Sequence, residues 1–97
     1  MKTLLLFISL IISSQIIGQS SIISGKVVDG KGVSIAGANV YLQGTYDGST
    51  TDENGDFSFK TSETRTQTLL VSYISYETFT MVSDVKFMKD LMVKLRE

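Results

Sequence analysis

After Gln19 the apolar residues of this sequence recur at every second position, in short blocks that end at Gly, Asn or Asp. This is the period of half-buried β-strands, whose successive side chains point to opposite faces, and it differs from the period of an amphipathic helix. Turn residues return roughly every eight to twelve positions, which is typical of sandwiches and small barrels. The sequence therefore predicts an all-β fold, a small antiparallel β-sandwich of seven strands.

Each predicted strand is bounded by turn residues. Asn54-Gly55 is the strongest hairpin signal, because this pair accepts the positive φ angles of a tight turn. Residues 67–74 are apolar on both faces, which predicts a central strand. Residues 85–90 leave a single helical turn open as an alternative to strand. The predicted strands are approximately residues 22–27, 38–44, 49–52, 56–60, 67–74, 77–82 and 87–95. Side chains predicted to share one face of their strand are Ile23, Gly25 and Val27; Ala38, Val40 and Leu42; Phe57 and Phe59; Leu69, Val71 and Tyr73; and Leu91, Val93 and Leu95.

The first residues have the layout of a secretory signal peptide. Lys2 gives a positive start, residues 4–12 are apolar except for Ser9, and a polar stretch follows. The apolar run is shorter than the roughly 20 residues of a transmembrane helix. We expect cleavage between Gly18 and Gln19; an uncleaved anchor or the first strand of a larger protein are the alternatives. The predicted organisation is a signal peptide at residues 1–18 and one domain at residues 19–97, with no stable transmembrane segment after cleavage.

Charge and cysteine content narrow the function classes. Removing residues 1–18 takes away Lys2 and leaves eight basic against ten acidic residues, a formal charge of −2. This balance favours neither nucleic acid nor an anionic membrane as partner. The sequence has no Cys, so a lipid-anchored lipoprotein is excluded and the domain must fold without disulfides. The core of a domain this small rarely contributes more than roughly 3–5 kcal/mol to folding stability, which suggests a module that is stabilised by a partner.

The composition also argues against catalysis. The sequence has no His and no Cys, which excludes a zinc peptidase site and the nucleophilic triads that use His. Composition alone leaves a catalytic Ser/Lys pair possible, but the sequence has no strained turn around a Ser that would indicate a nucleophile. We therefore expect no enzyme activity, no catalytic residues and no cofactor.

One acidic constellation looks like a metal site. Asp52, Asn54 and Asp56 repeat the first ligand positions of an EF-hand loop, and Glu63 falls at the twelfth position. Phe57, however, stands where that loop needs Gly for its sharp turn. We interpret the Asp and Asn side chains as shaping the turn through their own hydrogen bonds, with a weak calcium site as the alternative. Asp47 lies nearby in the sequence and belongs to the same acidic group.

The four tyrosines allow two interpretations. Exposed aromatic side chains on a β-sandwich can stack on sugar rings or form a protein interface. Aromatic residues spread singly through strands are more often packing residues, which is the interpretation we favour. The residues concerned are Tyr41, Tyr46, Tyr73 and Tyr76.

Several short motifs occur in a fixed order along the chain: Ser24-Gly25-Lys26-Val27-Val28-Asp29, then Ile35-Ala36-Gly37-Ala38-Asn39-Val40-Tyr41-Leu42, Gly44-Thr45, Thr51-Asp52-Glu53-Asn54-Gly55-Asp56-Phe57-Ser58-Phe59, and Leu69-Leu70-Val71-Ser72-Tyr73-Ile74-Ser75-Tyr76. Together they resemble the carboxypeptidase-regulatory-like domain, a transthyretin-like β-sandwich. The resemblance covers approximately residues 22–95. The positions that carry it are structural: Gly25, Val27, Gly37, Ala38, Val40, Gly44, Thr45, Asp52, Gly55, Phe57, Phe59 and Tyr76.

The sequence departs from this family at two places. The family usually has Pro in the segment that residues 33–36 occupy here, and Gly where this chain has Ser75. The first departure is expected to loosen a loop, and the second asks a Ser to fit where the family prefers Gly.

The resemblance implies an exported, non-catalytic accessory module. Such domains commonly follow the signal peptide of TonB-dependent outer-membrane receptors in Bacteroidetes-type bacteria, so we expect a periplasmic or outer-membrane location. The expected partner is another exported or outer-membrane protein, or a continuation of the same chain, and a free-standing module and the start of a longer receptor both stay open. The alternative function is a glycan- or peptide-binding sandwich with a weak calcium site.

Overall fold

The computed structural model describes residues 20–97. The predicted signal peptide at residues 1–18 lies outside the described residues. No helix in the described part of the chain is long and apolar enough to span a membrane. The elements, in chain order, are β1 Ser21–Val28, β2 Asn39–Leu42, β3 Gly48–Thr50, β4 Asp56–Thr61, β5 Thr66–Ser72, β6 Phe79–Asp84, a 3-10 turn at Val85–Phe87, and β7 Leu91–Lys94.

Within residues 20–97, seven strands form two sheets, which confirms the predicted sandwich. One sheet has the order β4-β1-β7 and the other the order β3-β2-β5-β6. The strand pairs are antiparallel except for β1 and β7, which run parallel, with Gly25 beside Leu91 and Val27 beside Val93. This pair differs from the expected antiparallel arrangement. The chain reaches β7 from β6 in the opposite sheet, so no hairpin dictates the direction of β7.

The hydrophobic core lies between the sheets and follows the predicted alternation. In β4, for example, every second residue is buried, and the same is true of β2. Five members of the buried cluster lie outside the strands, and two of them, Val85 and Met88, come from the 3-10 turn and the residue after it and are almost fully buried. The predicted strand faces are therefore confirmed. The buried cluster is Ile23, Val27, Ile35, Ala38, Val40, Leu42, Phe57, Phe59, Leu69, Val71, Val85, Met88, Val93 and Leu95.

The predicted hairpin at Asn54-Gly55 is wrong in one respect. The chain reverses there as predicted, but the strands on either side, β3 and β4, belong to different sheets. Before the turn, the Thr51 N–H donates to the Ala38 carbonyl at 2.9 Å. After the turn, β4 pairs with β1. The turn signal is local, whereas the choice of pairing partner depends on which core face each strand covers.

The last predicted strand is shorter than expected. The single helical turn that the sequence left as an alternative forms at Val85–Phe87, and Phe87, the first residue of the predicted strand, lies in it. Asp84 precedes this turn, and its carboxylate accepts a hydrogen bond from the Lys86 N–H at 3.0 Å. Turn-forming chemistry at Asp84 therefore outweighs the alternating pattern, and β7 begins only at Leu91.

Candidate functional site

The acidic turn is organised by one carboxylate. Asp52 Oδ1 accepts hydrogen bonds from the N–H groups of Asn54 at 2.9 Å and Asp56 at 3.0 Å. The Asp52 carbonyl accepts from the Gly55 N–H at 2.9 Å. A carboxylate oxygen that already satisfies two backbone donors stabilises the turn, so this geometry supports the turn-shaping interpretation.

Two of the other acidic residues, Asp47 and Glu63, both form hydrogen bonds to Thr61, away from the Asp52 turn. The Thr61 hydroxyl, on β4, donates to Asp47 Oδ2 at 2.7 Å, and the Glu63 N–H donates to Thr61 Oγ1 at 3.0 Å. Asp47 follows β2, so this bond joins the two sheets. Within residues 20–97, no group of three or more acidic side chains is placed to hold a metal ion.

Gly25 and Gly55 are places where the backbone leaves no room for a side chain. A Cβ at Gly25 would lie 2.6 Å from the Leu91 carbonyl oxygen and 2.7 Å from the Phe57 ring. Gly55 has a φ of 79°, and a Cβ there would lie 2.6 Å from the Val27 carbonyl oxygen. Both positions therefore need glycine for steric reasons.

The remaining motif residues are also structural. Thr45 closes the turn after β2: its hydroxyl donates to the Leu42 carbonyl at 2.9 Å and accepts from the Asp47 N–H at 3.0 Å. Two glycines of the motif adopt positive φ, and the apolar members lie in the core. The two glycines are Gly37 and Gly44. The apolar residues in the core are Val27, Ala38, Val40, Phe57 and Phe59.

Thr51 is a structural residue that was not among the positions predicted to be structural. Its side chain is buried, donates to the Ile35 carbonyl at 2.7 Å and accepts from the Ala38 N–H at 2.9 Å. The Thr51 carbonyl accepts a third bond, from the Gly37 N–H at 3.0 Å. These bonds hold the segment that lacks the family's Pro. The position of a Thr directly before the acidic turn was the one available signal.

The second departure from the family is visible in the backbone. Ser75 has a φ of 73°, in the left-handed region that favours glycine. The turn is closed by a bond from the Tyr76 N–H to the Tyr73 carbonyl at 3.1 Å. The chain thus has a Ser in a backbone conformation that favours the Gly usual in the family.

The tyrosines divide into packing and surface residues. Tyr73 and Tyr76 pack against the core with ring centroids 5.9 Å apart. Burial raises the pKa of the Tyr76 hydroxyl above its usual value, and the charge of Glu97 raises it further. Tyr41 and Tyr46 are exposed, and only Tyr41 lies on a sheet. The packing interpretation therefore fits two of the four residues.

The outer surface of the four-stranded sheet is nearly free of charge. Among all residues of β2, β3, β5 and β6, Asp84 alone is charged at neutral pH, and its carboxylate caps the 3-10 turn. Tyr41 pairs with Leu70, and Leu70 with Thr80, so these three side chains form a row across the sheet. Val82 lies on the same face and is 65% exposed. We call this surface the neutral face; its residues are Asn39, Tyr41, Thr50, Thr66, Thr68, Leu70, Ser72, Thr80 and Val82, with Asp84 opposite Thr66 at one corner.

The three-stranded sheet presents the opposite character. Its outward positions carry Lys26, Asp56, Lys60 and Lys94, and Lys26 stands directly beside Asp56 in the strand register. Charged residues keep a surface solvated, whereas their near absence on a sheet face is typical of a surface that another molecule covers. The neutral face is therefore the candidate functional site.

Two open hollows adjoin this face. One, of about 390 Å³, lies along β2 and β3 and is lined by Asn39, Tyr41 and Gly48 among others. The other, of about 480 Å³, extends from Asn39 to Ser72 and Ile74. Neither contains a cluster of ionisable groups, so the site offers contact surface and neutral hydrogen-bonding groups and no acid, base or nucleophile pair.

Comparison with known proteins gives a family and a fold. The CarboxypepD_reg-like domain family matches residues 23–97. Similar solved chains occur in two crystal structures of a type II cohesin-X-dockerin complex from Acetivibrio cellulolyticus. The matching chain in the structure of the N-terminal interface mutant, Coh3ScaB-XDoc_M1ScaA, is 23% identical in sequence to this chain, with a TM-score of 0.67. The match covers 77% of this chain and 56% of that chain. The matching chain in the structure of the C-terminal interface mutant, Coh3ScaB-XDoc_M2ScaA, is 25% identical, with a TM-score of 0.56. The match covers 76% of this chain and 51% of that chain.

The chain thus spans about half the length of the solved chains it matches. A comparison with curated proteins finds no match. At this identity the structural likeness establishes the sandwich fold alone, whereas the family match covers every strand from within β1 to the last residue. The chain belongs to the CarboxypepD_reg-like domain family.

Proposed function

We propose that this chain is an exported, non-catalytic interaction module that binds a partner protein through its neutral face. The observation that carries the proposal is the distribution of charge between the two sheets. The four strands of the larger sheet contain one charged residue, Asp84, while the smaller sheet carries four charged side chains on its outer surface. A partner that covers the neutral face therefore has almost no charge to desolvate.

The composition of the neutral face suits contact with protein. Tyr41 supplies an aromatic ring with a polar tip, and Leu70 and Val82 supply apolar surface beside it. Hydroxyl groups of Thr and Ser surround them and can exchange water for partner groups. The two solved structures compared above are described as interface mutants of a cohesin-X-dockerin complex, which agrees with an interaction role.

The cellular context of the proposal comes from the first residues and from the family. The signal-peptide layout of residues 1–18 supports export, and the family resemblance supports a periplasmic or outer-membrane site of action. The partner we propose is another exported or outer-membrane protein, such as a TonB-dependent receptor, or a further part of the same polypeptide.

Site-specific photocrosslinking in the producing cell tests this function. A photoreactive phenylalanine analogue replaces Tyr41 on the neutral face or, as a control, Ser58 on the outer surface of the smaller sheet. We expect a defined protein adduct from position 41 and none from position 58. The adduct, identified by mass spectrometry, is then purified and its direct binding to the chain is measured. Equal adducts from both positions, or none from either, contradict the proposal.

A second candidate function is glycan binding, which one observation favours. Asn39 and Tyr41 lie on the same face of β2, so an amide and an aromatic ring stand together beside the hollow along β3. Stacking of a sugar ring on Tyr41 with hydrogen bonds from Asn39 is the chemistry that such a pair offers. Titration with neutral oligosaccharides, followed by Tyr41→Ala, tests it. Binding that Tyr41→Ala abolishes would support this candidate, and no binding would exclude it.

A further inference from the structure

The four-stranded sheet has an open edge at β6. This strand pairs with β5 on one side, and on its other side no backbone group within residues 20–97 forms a hydrogen bond to residues 79–83. The Val85 N–H donates to the Arg65 carbonyl at 3.1 Å, so the odd-numbered residues of β5 and β6 bond to each other. The even-numbered residues Thr80 and Val82 therefore direct their N–H and C=O groups outward, away from β5.

β6 also lacks the features that usually protect a sheet edge. Natural edge strands are often short or carry Lys, Pro or a bulge. In this sandwich β3 has three residues, β4 carries Lys60 and β7 carries Lys94. β6 has six residues and no charge before Asp84. Its backbone groups are therefore accessible to an added strand.

A hollow of about 200 Å³ lies beside the first residues of β6, and it carries charge. Lys94 and Arg96 have exposed side chains and alternate with the buried Val93 and Leu95. The Glu77 N–H donates to the Arg96 carbonyl at 2.7 Å, which holds this end of the chain beside the start of β6. Two cations and one carboxylate leave the hollow with one positive charge in excess. The residues that line it are Glu77, Thr78, Phe79, Thr80, Lys94 and Arg96.

We infer that this edge binds an extended acidic segment of another protein, which adds to β6 as an antiparallel strand. Only an extended backbone can satisfy the outward N–H and C=O groups of Thr80 and Val82 in turn, which is how strand addition gives affinity. The antiparallel direction continues the pairing of the rest of this sheet. It places the last residues of the bound segment beside the start of β6, at the hollow.

The excess positive charge of the hollow determines the chemistry of that segment. Carboxylates at its last residues lie near Lys94 and Arg96, whereas cations there are repelled. This site is separate from the row of Tyr41 and Leu70 on the neutral face, because it uses the backbone edge of the sheet and two residues at the end of the chain.

Fluorescence anisotropy with labelled synthetic peptides tests the charge requirement. The peptides alternate Thr and Val, and they end in two Glu residues or in two Lys residues. Protein purified after export of the full chain should bind the Glu-ended peptide at least about tenfold more tightly. Moving the two Glu residues to the beginning of the peptide should remove this preference, because the charges then lie away from the hollow. Equal affinities of the Glu-ended and Lys-ended peptides, or no binding of either, would overturn the proposal.

A charge reversal on the protein identifies the cations involved. Lys94→Glu should weaken binding of the Glu-ended peptide about three- to tenfold. Lys60→Glu is the matched control, because Lys60 is also exposed on an edge strand of the smaller sheet but lies on β4, at its opposite edge. That variant should leave the affinity unchanged, and far-UV circular dichroism checks that both variants fold. Equal effects of the two substitutions would contradict the assignment of the hollow.

Amide hydrogen exchange measured by NMR tests strand addition itself. The Glu-ended peptide should slow exchange of the outward N–H groups of Thr80 and Val82, and it should change little at Met81, whose N–H is directed to β5. Binding without slower exchange at Thr80 and Val82 would refute strand addition. The same protection at high protein concentration without peptide would assign the edge to a second copy and overturn the acidic segment. The photocrosslink at position 41 reports on the neutral face, so the two proposals can fail separately.

Discussion

The turn at Ser75 allows the reasoning about this backbone to be tested by a single substitution. The φ of 73° costs a residue with a side chain about 1–2 kcal/mol relative to glycine. Glycine in turn loses about 0.5–1 kcal/mol more backbone entropy on folding. Ser75 is exposed, and its side chain forms no hydrogen bond to another group within residues 20–97, so little else is lost. Ser75→Gly should therefore stabilise the domain by about 0.5–1 kcal/mol.

Urea unfolding followed by far-UV circular dichroism measures this change, and a gain of about 1 kcal/mol corresponds to roughly 4–8 °C in Tm for a domain of this size. Ser62→Gly is the matched control, because Ser62 is also exposed in a loop but has a negative φ. That variant should lose about 0.5–1 kcal/mol through backbone entropy alone. If Ser75→Gly destabilises the domain as much as the control does, the assigned left-handed strain is wrong.

Three further predictions concern stability. Thr51→Val should cost about 2–3 kcal/mol in urea unfolding, because it leaves the Ala38 N–H and the Ile35 carbonyl without their side-chain partner; exposed Thr50→Val should change little. Gly25→Ala should cost about 1–3 kcal/mol, whereas Gly30→Ala, which meets nothing within 4 Å, should not destabilise the fold, and a Gly25→Ala variant as stable as the parent would contradict the close approach to Leu91. Hydrogen bonds from the Val33 and Lys31 N–H groups lower the pKa of the Asp29 carboxyl below 3.8, so stability present above that pH should be lost as pH falls through the lowered pKa; Asp29→Asn should flatten this acid dependence of the urea midpoint.

The alternation of apolar residues predicted the core faces because period two is a property of each strand by itself. Val40 and Leu42, or Phe57 and Phe59, must point the same way whatever they pair with. Pairing is a property of the whole fold, and it is there that prediction from the sequence reached its limit. The Asn54-Gly55 turn reverses the chain but does not make β3 and β4 neighbours, and the parallel pair of β1 and β7 has no local signal.

The candidate site was hidden from the sequence for the same reason. Tyr41, Leu70 and Val82 lie far apart along the chain, and their common face appears only once β2, β5 and β6 are known to share a sheet. Thr51 was overlooked because a buried threonine looks like any other strand residue until its two hydrogen-bond partners are placed. The family resemblance supplied one local feature that physical patterning missed, the unusual backbone at Ser75.

Binding through the neutral face is the central claim, and the affinity for the crosslinked partner tests it most directly. Leu70→Lys places one charge in the row that joins Tyr41 and Thr80, and Ser58→Lys places the same charge on the smaller sheet. Titration calorimetry with the purified partner should show the dissociation constant rise at least about tenfold for Leu70→Lys and stay unchanged for Ser58→Lys. An unchanged dissociation constant for a folded Leu70→Lys variant would contradict the claim.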